Sequence, residues 1–262
     1  MMPKDEMRPV LISVAHYLDE LESGEMTVFD IIETADRLGA DGVELRREPW
    51  AAWENELESA QTEIERRGLL VTYATHITLF SADPGDGALL RRDIESAAAL
   101  GSPLLRVFQG PAPANDDEAG WQAGQDAVDY AASYGIVLAL ENYARVPGGS
   151  VAEIKRVLDH IPSPALATNI DIANYTNHDE DVVAAIQAVG ERAIYAHLKD
   201  KSPGSGDLTY LGGGTLPLPD ILDALDRLPQ RVIYCFEFRG GGEPEERIKR
   251  SLAYLQARQS KN

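Results

Sequence analysis

The stretch IVLALE at residues 136–141 is a short apolar run that is closed by one carboxylate, Glu141. Three later runs have the same form: ALATNID at 165–171 ends in Asp171, AIYAH at 193–197 ends in His197, and VIYCFE at 232–237 ends in Glu237. The four end residues are 30, 26 and 40 positions apart, and one strand–helix unit is about 30 residues long. If the runs are neighbouring parallel strands, their end residues meet at one edge of the sheet.

Similar runs alternate with segments of helical periodicity along the whole chain. The predicted strands are Val10–His16, Gly42–Arg46, Leu69–His76, Pro103–Gln109, Ile136–Glu141, Ala165–Asp171, Ala193–His197 and Val232–Glu237. The predicted helices are Thr27–Leu38, Ala52–Arg67, Ala88–Leu100, Ala119–Tyr134, Ser150–His160, His178–Val189, Pro219–Leu228 and Pro244–Ala257. Strict alternation implies a parallel sheet. Eight units in 262 residues predict a single (β/α)8 TIM barrel, one domain over residues 1–262.

An open, doubly wound sheet is the alternative architecture for such a chain. That fold is expected to carry a glycine-rich phosphate-binding turn after its first strand, whereas this chain has the segment 16–19, HYLD, at that point. A closed barrel instead places its functional site at the C-terminal mouth of the strands. Residues 201–216, after His197, are predicted to form a long loop at this mouth.

The composition excludes several classes of function. The net charge is −19, from 24 Lys and Arg against 43 Asp and Glu, which opposes binding to nucleic acid or to anionic membranes. The single cysteine, Cys235, permits no internal disulfide and is predicted to be buried. No stretch reaches the roughly 20 apolar residues of a membrane span, and residues 1–8 do not resemble a signal peptide. We therefore expect a cytoplasmic protein.

The four run-ending residues have the chemistry of a metal site. Three carboxylates and one imidazole make a mainly oxygen donor set, which favours Mn²⁺ or Mg²⁺ over Co²⁺ or Zn²⁺. Each residue also has a structural interpretation. Glu141 or Glu237 alone can pair with an arginine at a strand end, and His197 alone is more often a hydrogen-bonded structural histidine. Their joint occurrence at the ends of four strands favours the metal site.

Further charged residues fall within the predicted strands. A charged residue in the middle of a barrel strand usually faces the interior. The two-residue period of a strand puts Glu44 and Arg46 on one face, and His197 and Lys199 on one face. Arg106 is predicted either to pair with Glu44 or to contact a substrate.

Several motifs together resemble the xylose isomerase-like barrel family of sugar phosphate isomerases and epimerases. The metal-binding motifs of that family are similar to Leu140-Glu141-Asn142, Asn169-Ile170-Asp171, His197-Leu198-Lys199-Asp200 and Phe236-Glu237. The segments Gly42–Arg46 and Leu211–Thr215 also resemble family motifs, so the resemblance covers the whole chain.

The resemblance implies a metal-dependent sugar or keto-sugar isomerase or epimerase that works through an enediolate. It implies four metal ligands, Glu141, Asp171, His197 and Glu237, of which the two glutamates also act as catalytic acid and base. Substrate contacts are expected from Arg46, His76, Asn174 and Lys199. Family members are often dimers or tetramers, so the resemblance is also consistent with a homo-oligomer.

Two other functions remain open. The same enediolate can lead to elimination, as in a dehydratase of the inosose or dehydroshikimate kind or in a 3-keto-glycoside deglycosidase. A non-catalytic sugar-binding barrel is the third possibility. Many isomerases and epimerases of the family carry a histidine three residues after the metal aspartate, where this chain has Asn174. The asparagine can hydrogen-bond a sugar hydroxyl but cannot carry a proton.

Overall fold

A computed structural model describes residues 8–47, 53–83 and 85–259. Eight parallel strands form a barrel. They are β1 (Val10–Ser13), β2 (Gly42–Arg46), β3 (Leu70–Thr78), β4 (Leu104–Phe108), β5 (Val137–Glu141), β6 (Leu166–Asp171), β7 (Ala193–Leu198) and β10 (Ile233–Phe236), whereas β8 (Asp200–Lys201) and β9 (Leu208–Thr209) form a separate sheet. The barrel closes in the order β1-β10-β7-β6-β5-β4-β3-β2. The barrel prediction is confirmed, and the open sheet is excluded.

Helices cover the outside of the barrel. They are α1 (Leu18–Ser23), α2 (Val28–Leu38), α3 (Trp53–Arg67), α4 (Asp86–Ala99), α5 (Glu118–Ser133), α6 (Val151–His160), α7 (Val182–Val189), α8 (Leu218–Asp226) and α9 (Pro244–Gln259). The start of α2 is fixed by a capping box between Thr27 and Asp30, and the helix ends at Gly39, whose φ of 76° suits a residue without a Cβ. The short helix α1 was not among the predicted elements.

Several predicted segments differ from those of the structure. The first strand stops at Ser13 rather than His16, because the Ser13 hydroxyl accepts the Ala15 amide and Val14–Tyr17 turn into a 3-10 helix. The helix predicted from His178 begins at Val182, since Asp181 caps it by accepting the Ala184 amide at 2.7 Å. Residues 201–216 are not all loop. Ala52 and residues 1–7, on which other predictions fell, lie outside the described residues.

The segment that follows β7 forms a small hairpin. Its antiparallel strands are β8 (Asp200–Lys201) and β9 (Leu208–Thr209). The Asp200 carboxylate fixes the segment that follows this hairpin. Its Oδ2 accepts a hydrogen bond from the Gly214 amide at 2.9 Å, and its Oδ1 accepts one from the Leu216 amide at 3.0 Å. A Cβ on Gly214 would lie 2.1 Å from the Lys201 carbonyl oxygen. This close approach explains the glycine at that position.

The barrel separates two apolar cores. The larger lies between the sheet and the helices, and the smaller fills the barrel interior with Leu11, Leu104, Ala139, Tyr195 and Cys235. The predicted burial of Cys235 is confirmed. Charged residues lie above this inner core, toward the C-terminal ends of the strands. Across the described ranges, no helix is long and apolar enough to cross a membrane.

Candidate metal centre

Three of the four predicted ligands meet at the mouth of the barrel. Glu141, Asp171 and His197 end or nearly end β5, β6 and β7, and each offers one ligand atom within 4.8 Å of the others. His197 Nδ1 is 3.8 Å from Glu141 Oε1 and 3.7 Å from Asp171 Oδ2. Asp171 and His197 are partners in the β6–β7 register, so their side chains leave the sheet side by side.

The orientation of His197 is set by Glu44, on the far side of the barrel. His197 Nε2 lies 2.7 Å from Glu44 Oε2, and because an ionised carboxylate only accepts, Nε2 donates. The other ring nitrogen, Nδ1, therefore faces the Glu141 and Asp171 carboxylates. A histidine that donates to a carboxylate through one nitrogen and binds a metal through the other is a common arrangement in metalloproteins.

The charge state of His197 follows from its neighbours. Burial by itself lowers the pKa of His197, but the carboxylates of Glu44 and Glu141 outweigh it and raise the pKa well above its usual value. A histidine ligand must be unprotonated on the nitrogen that binds the metal. Binding of a metal ion to Nδ1, which also lies 3.2 Å from the Asn169 side-chain nitrogen, therefore requires the unprotonated nitrogen.

Glu141 is held on both of its oxygens. Arg106 Nε lies 3.0 Å from Oε2, and the Asn174 side-chain amide donates to Oε1 at 3.1 Å. Burial alone raises the pKa of Glu141, but Arg106 and then His197 outweigh it and bring the pKa to about 2. Glu141 is thus ionised, and Asn174 contacts this carboxylate directly. Arg106 was predicted to pair with Glu44 or to contact a substrate, whereas in the structure it pairs with Glu141.

Asp171 is fixed more tightly than any other member of the cluster. The Asn142 side chain donates to the Asp171 carbonyl at 2.9 Å and accepts the Asp171 amide at 2.8 Å. Asp171 Oδ1 accepts the amides of Ala173 and Asn174 at 3.0 and 3.1 Å. Oδ2 is buried and faces the Lys199 ammonium, which lies 2.5 Å away. A buried carboxylate oxygen that faces a second carboxylate and an imidazole nitrogen fits a divalent cation.

Glu237 is not a member of the described three-residue cluster. It lies immediately after β10, where Arg46 Nη2 is 2.5 Å from Oε1 and Lys199 binds Oε2. Burial alone raises the pKa of Glu237, but Lys199 and Arg46 outweigh it and lower the pKa below its usual range. Each glutamate thus pairs with an arginine, Arg106 for Glu141 and Arg46 for Glu237, which is the kind of contact that the structural interpretation predicted without naming the arginine.

His76 is an exposed residue of β3 and stacks on Phe108, with ring centroids 5.9 Å apart. Phe108 stacks in turn on Tyr143 at 4.7 Å. Phe108 and Glu141 are partners in the β4–β5 register, so this aromatic stack lies beside the cluster. His76 therefore belongs to the wall of the mouth.

Glu44 was missed as a site residue, although the sequence placed it on the inner face of β2. It is fully buried and accepts from Ser13 Oγ at 2.7 Å and Tyr195 Oη at 3.0 Å in addition to His197. The missing information was the distance across the barrel between two strands that are not neighbours. Glu44, His197 and Cys235 form a second group of potential metal ligands. Burial and the Glu44 carboxylate raise the pKa of the Cys235 thiol well above its usual value, which keeps the thiol neutral.

The sequence itself matches a family model, the xylose isomerase-like TIM barrel, over residues 32–258. The chain belongs to this family. No curated protein sequence matches it.

Solved structures that share this fold are named as enzymes of different classes. The probable 3-DHS dehydratase AsbF from Bacillus anthracis is 15% identical, with a TM-score of 0.76, and the match covers 95% of this chain and 99% of that one. D-allulose 3-epimerase from Methylomonas sp. is 19% identical, with a TM-score of 0.77 and coverages of 96% and 97%. AP endonuclease family 2 from Brucella melitensis is 17% identical, with a TM-score of 0.73 and coverages of 95% and 99%. At these identities the similarity establishes the fold.

Proposed function

We propose that this xylose isomerase-like barrel is a divalent-metal-dependent isomerase or epimerase of sugars or keto sugars. Glu141, Asp171, His197 and Glu237 are the proposed metal ligands. The observation that carries the proposal is the convergence of the first three within 4.8 Å, with His197 held in the required orientation by Glu44. Mn²⁺ or Mg²⁺ suits this donor set best, and Co²⁺ or Zn²⁺ is an alternative.

The proposed acid and base are Glu141 and Glu237. A divalent metal ion held here would polarise the substrate carbonyl and stabilise the negative charge of the enediolate. One glutamate removes a proton from the substrate carbon, and the other returns a proton. Delivery to the opposite face of the same carbon gives epimerisation, whereas delivery to the adjacent carbon gives isomerisation. A carboxylate with a pKa of about 2 is a weak base, so Glu141 requires an acidified substrate proton.

The chain's arginines keep both carboxylates ionised and in place. Arg106 pairs with Glu141 and Arg46 with Glu237, and both arginines are buried. We propose that Arg46, Lys199 and Asn174 also contact substrate hydroxyl or carbonyl oxygens, since each is a hydrogen-bond donor beside the proposed acid and base. His76 would contact the substrate from the aromatic wall.

The proposed partner is a small sugar or keto sugar. The charge of −19 supports the prediction that nucleic acid is not a substrate. Cytoplasmic location and homo-oligomer formation stay predictions.

A lyase that uses the same enediolate is the second candidate. Asn174 favours it, because this position lacks the imidazole that many isomerases and epimerases of the family are expected to carry. Elimination of a β-substituent needs one base and a leaving group, and it produces an unsaturated carbonyl that absorbs in the ultraviolet. The product therefore separates the two candidates.

Proton exchange tests the proposal. The Mn²⁺-loaded protein is incubated with a panel of keto sugars in D₂O, and loss of the α-proton signal is followed by NMR beside ultraviolet absorbance. We expect exchange with at least one substrate, reduced by about 10²-fold or more in Glu237→Gln and unchanged in Glu243→Gln, an exposed carboxylate. Sugar binding without exchange or elimination would instead identify the non-catalytic binding barrel.

A further inference from the structure

Lys199 bridges two proposed metal ligands that come from different strands. Its ammonium lies 2.5 Å from Asp171 Oδ2 and also binds Glu237 Oε2. The Lys199 side chain is only 2% exposed and Asp171 is fully buried. Cys235 and His197 are register partners on β10 and β7, so Glu237 and Lys199, two residues further on, leave their strands at the same level. The contact therefore follows from the barrel register.

The ammonium and a metal ion need the same oxygen atoms. Asp171 Oδ2 is the oxygen that faces His197 Nδ1 in the three-residue cluster, and it is also the oxygen that Lys199 contacts. Both oxygens of Glu237 already pair with cationic side chains, since Arg46 binds Oε1 and Lys199 binds Oε2. Two cations that share one carboxylate oxygen in a buried site repel each other strongly.

The formal charges of the site also indicate that the Lys199 ammonium and a divalent cation do not occupy the site together. Four buried or nearly buried carboxylates, those of Glu44, Glu141, Asp171 and Glu237, lie among three positively charged side chains, Arg46, Arg106 and Lys199. With neutral His197, a divalent cation and the two arginines balance the four carboxylates. The balance holds only if the Lys199 ammonium leaves the carboxylates, because an unpaired buried charge is costly.

We propose that Lys199 is an internal competitor of the metal ion. In the metal-free protein its ammonium holds Asp171 and Glu237 together, and it moves away from both when a divalent cation binds. Its departure frees Glu237 Oε2 to become the fourth ligand. The inference rests on the proposed metal site, but it concerns how that site exchanges one cation for another.

Binding of Mn²⁺ to metal-stripped full-length protein tests the competition. The variants are Lys199→Met, which removes the charge, and Lys199→Gln, which keeps a donor for the carboxylates if the methionine variant does not fold. The control is Lys201→Met, because the Lys201 ammonium binds Thr176 and Asn177 rather than Asp171 and Glu237. Affinity is measured by isothermal titration calorimetry, and the melting temperature is recorded with and without Mn²⁺.

We expect the Lys199 variants to bind Mn²⁺ about tenfold more tightly or better, to melt below the wild type without metal, and to gain more in melting temperature when Mn²⁺ is added. Lys201→Met should match the wild type. Equal or weaker Mn²⁺ binding by folded Lys199 variants, beside a wild type that binds, overturns the competition and leaves the proposed function standing. Absence of Mn²⁺ binding by the wild type and by every variant overturns both.

Discussion

His197 Nε2 and Glu44 Oε2 lie 2.7 Å apart, although 153 residues separate them in the chain. The pair crosses the barrel between β7 and β2, and both side chains are fully buried. Burial alone raises the pKa of Glu44, but His197 outweighs it and lowers the pKa well below its usual range. Glu44 is therefore an ionised acceptor that determines which nitrogen of His197 faces Glu141 and Asp171.

Removing the charge of Glu44 is expected to weaken metal binding. Loss of a carboxylate that orients a metal-binding histidine typically lowers metal affinity about 10- to 100-fold, so Glu44→Gln should raise the Mn²⁺ dissociation constant by that factor. Calorimetric titration of the stripped protein measures it. Glu22→Gln, in an exposed carboxylate of α1, is the control. Wild-type affinity in Glu44→Gln would show that Glu44 does not orient the ligand.

Arg106 is expected to stabilise the metal-free fold. Its guanidinium is 1% exposed and is paired with Glu141 at 3.0 Å, and removing one partner of a buried pair costs about 3–5 kcal/mol. Urea denaturation of metal-stripped Arg106→Met should show this loss in the free energy of unfolding. Arg66→Met removes an exposed pair with Glu63 and should leave the free energy of unfolding nearly unchanged. Similar losses in both variants would contradict the argument.

The buried His16 is expected to lower the free energy of unfolding in mild acid. Burial lowers the pKa of His16 from 6.5 to about 4, against smaller opposing effects from the Phe238 carbonyl and Glu237. The unfolded chain therefore takes up the proton first, so this stability is present above pH 6.5 and is lost as the pH falls toward 4. The loss amounts to about 3 kcal/mol.

Urea denaturation between pH 7 and pH 4.5 measures the effect, with His16→Asn as the comparison. The asparagine amide can replace Nδ1 as the donor to the Phe238 carbonyl, which His16 contacts at 2.7 Å, but it does not titrate. The variant should lose less stability than the wild type as the pH falls. Equal losses would mean that His16 is not held neutral by the fold.

A methyl group added at Gly214 is expected to destabilise the fold. In Gly214→Ala the new Cβ would meet the Lys201 carbonyl oxygen and the Asp200 carboxylate, whereas Gly242→Ala would meet nothing within 4 Å. We expect Gly214→Ala to lower the free energy of unfolding by about 1–3 kcal/mol and Gly242→Ala to change it by less than about 0.5 kcal/mol. Urea titration measures both, and equal stability would contradict the close packing at Gly214.

The fold was predictable because each strand and helix has a local pattern. Gly42–Arg46 was predicted with the bounds that β2 has. The end of β1 was missed because it depends on one side-chain hydrogen bond from the Ala15 amide to Ser13. Hydrophobic periodicity does not contain that information.

The site was predictable to the extent that it lies at strand ends. Glu141, Asp171 and His197 meet because they lie at or near the ends of three neighbouring strands, with Asp171 opposite His197 and Glu141 opposite Asn169. The Glu44–His197 contact spans the barrel, and the Lys199 bridge depends on the register of β7 with β10. Neither the tilt nor the register of the strands can be read from one sequence, so these contacts required the structure.

The most direct test of the central claim is the metal content of the purified protein after reconstitution with Mn²⁺ and removal of excess ion. The metal site predicts about one equivalent per chain in the wild type and in Asp159→Asn, an exposed carboxylate paired with Lys155, but almost none in Asp171→Asn. A wild type that retains no Mn²⁺, Mg²⁺, Co²⁺ or Zn²⁺, or an Asp171→Asn variant that retains as much as the wild type, would contradict the account.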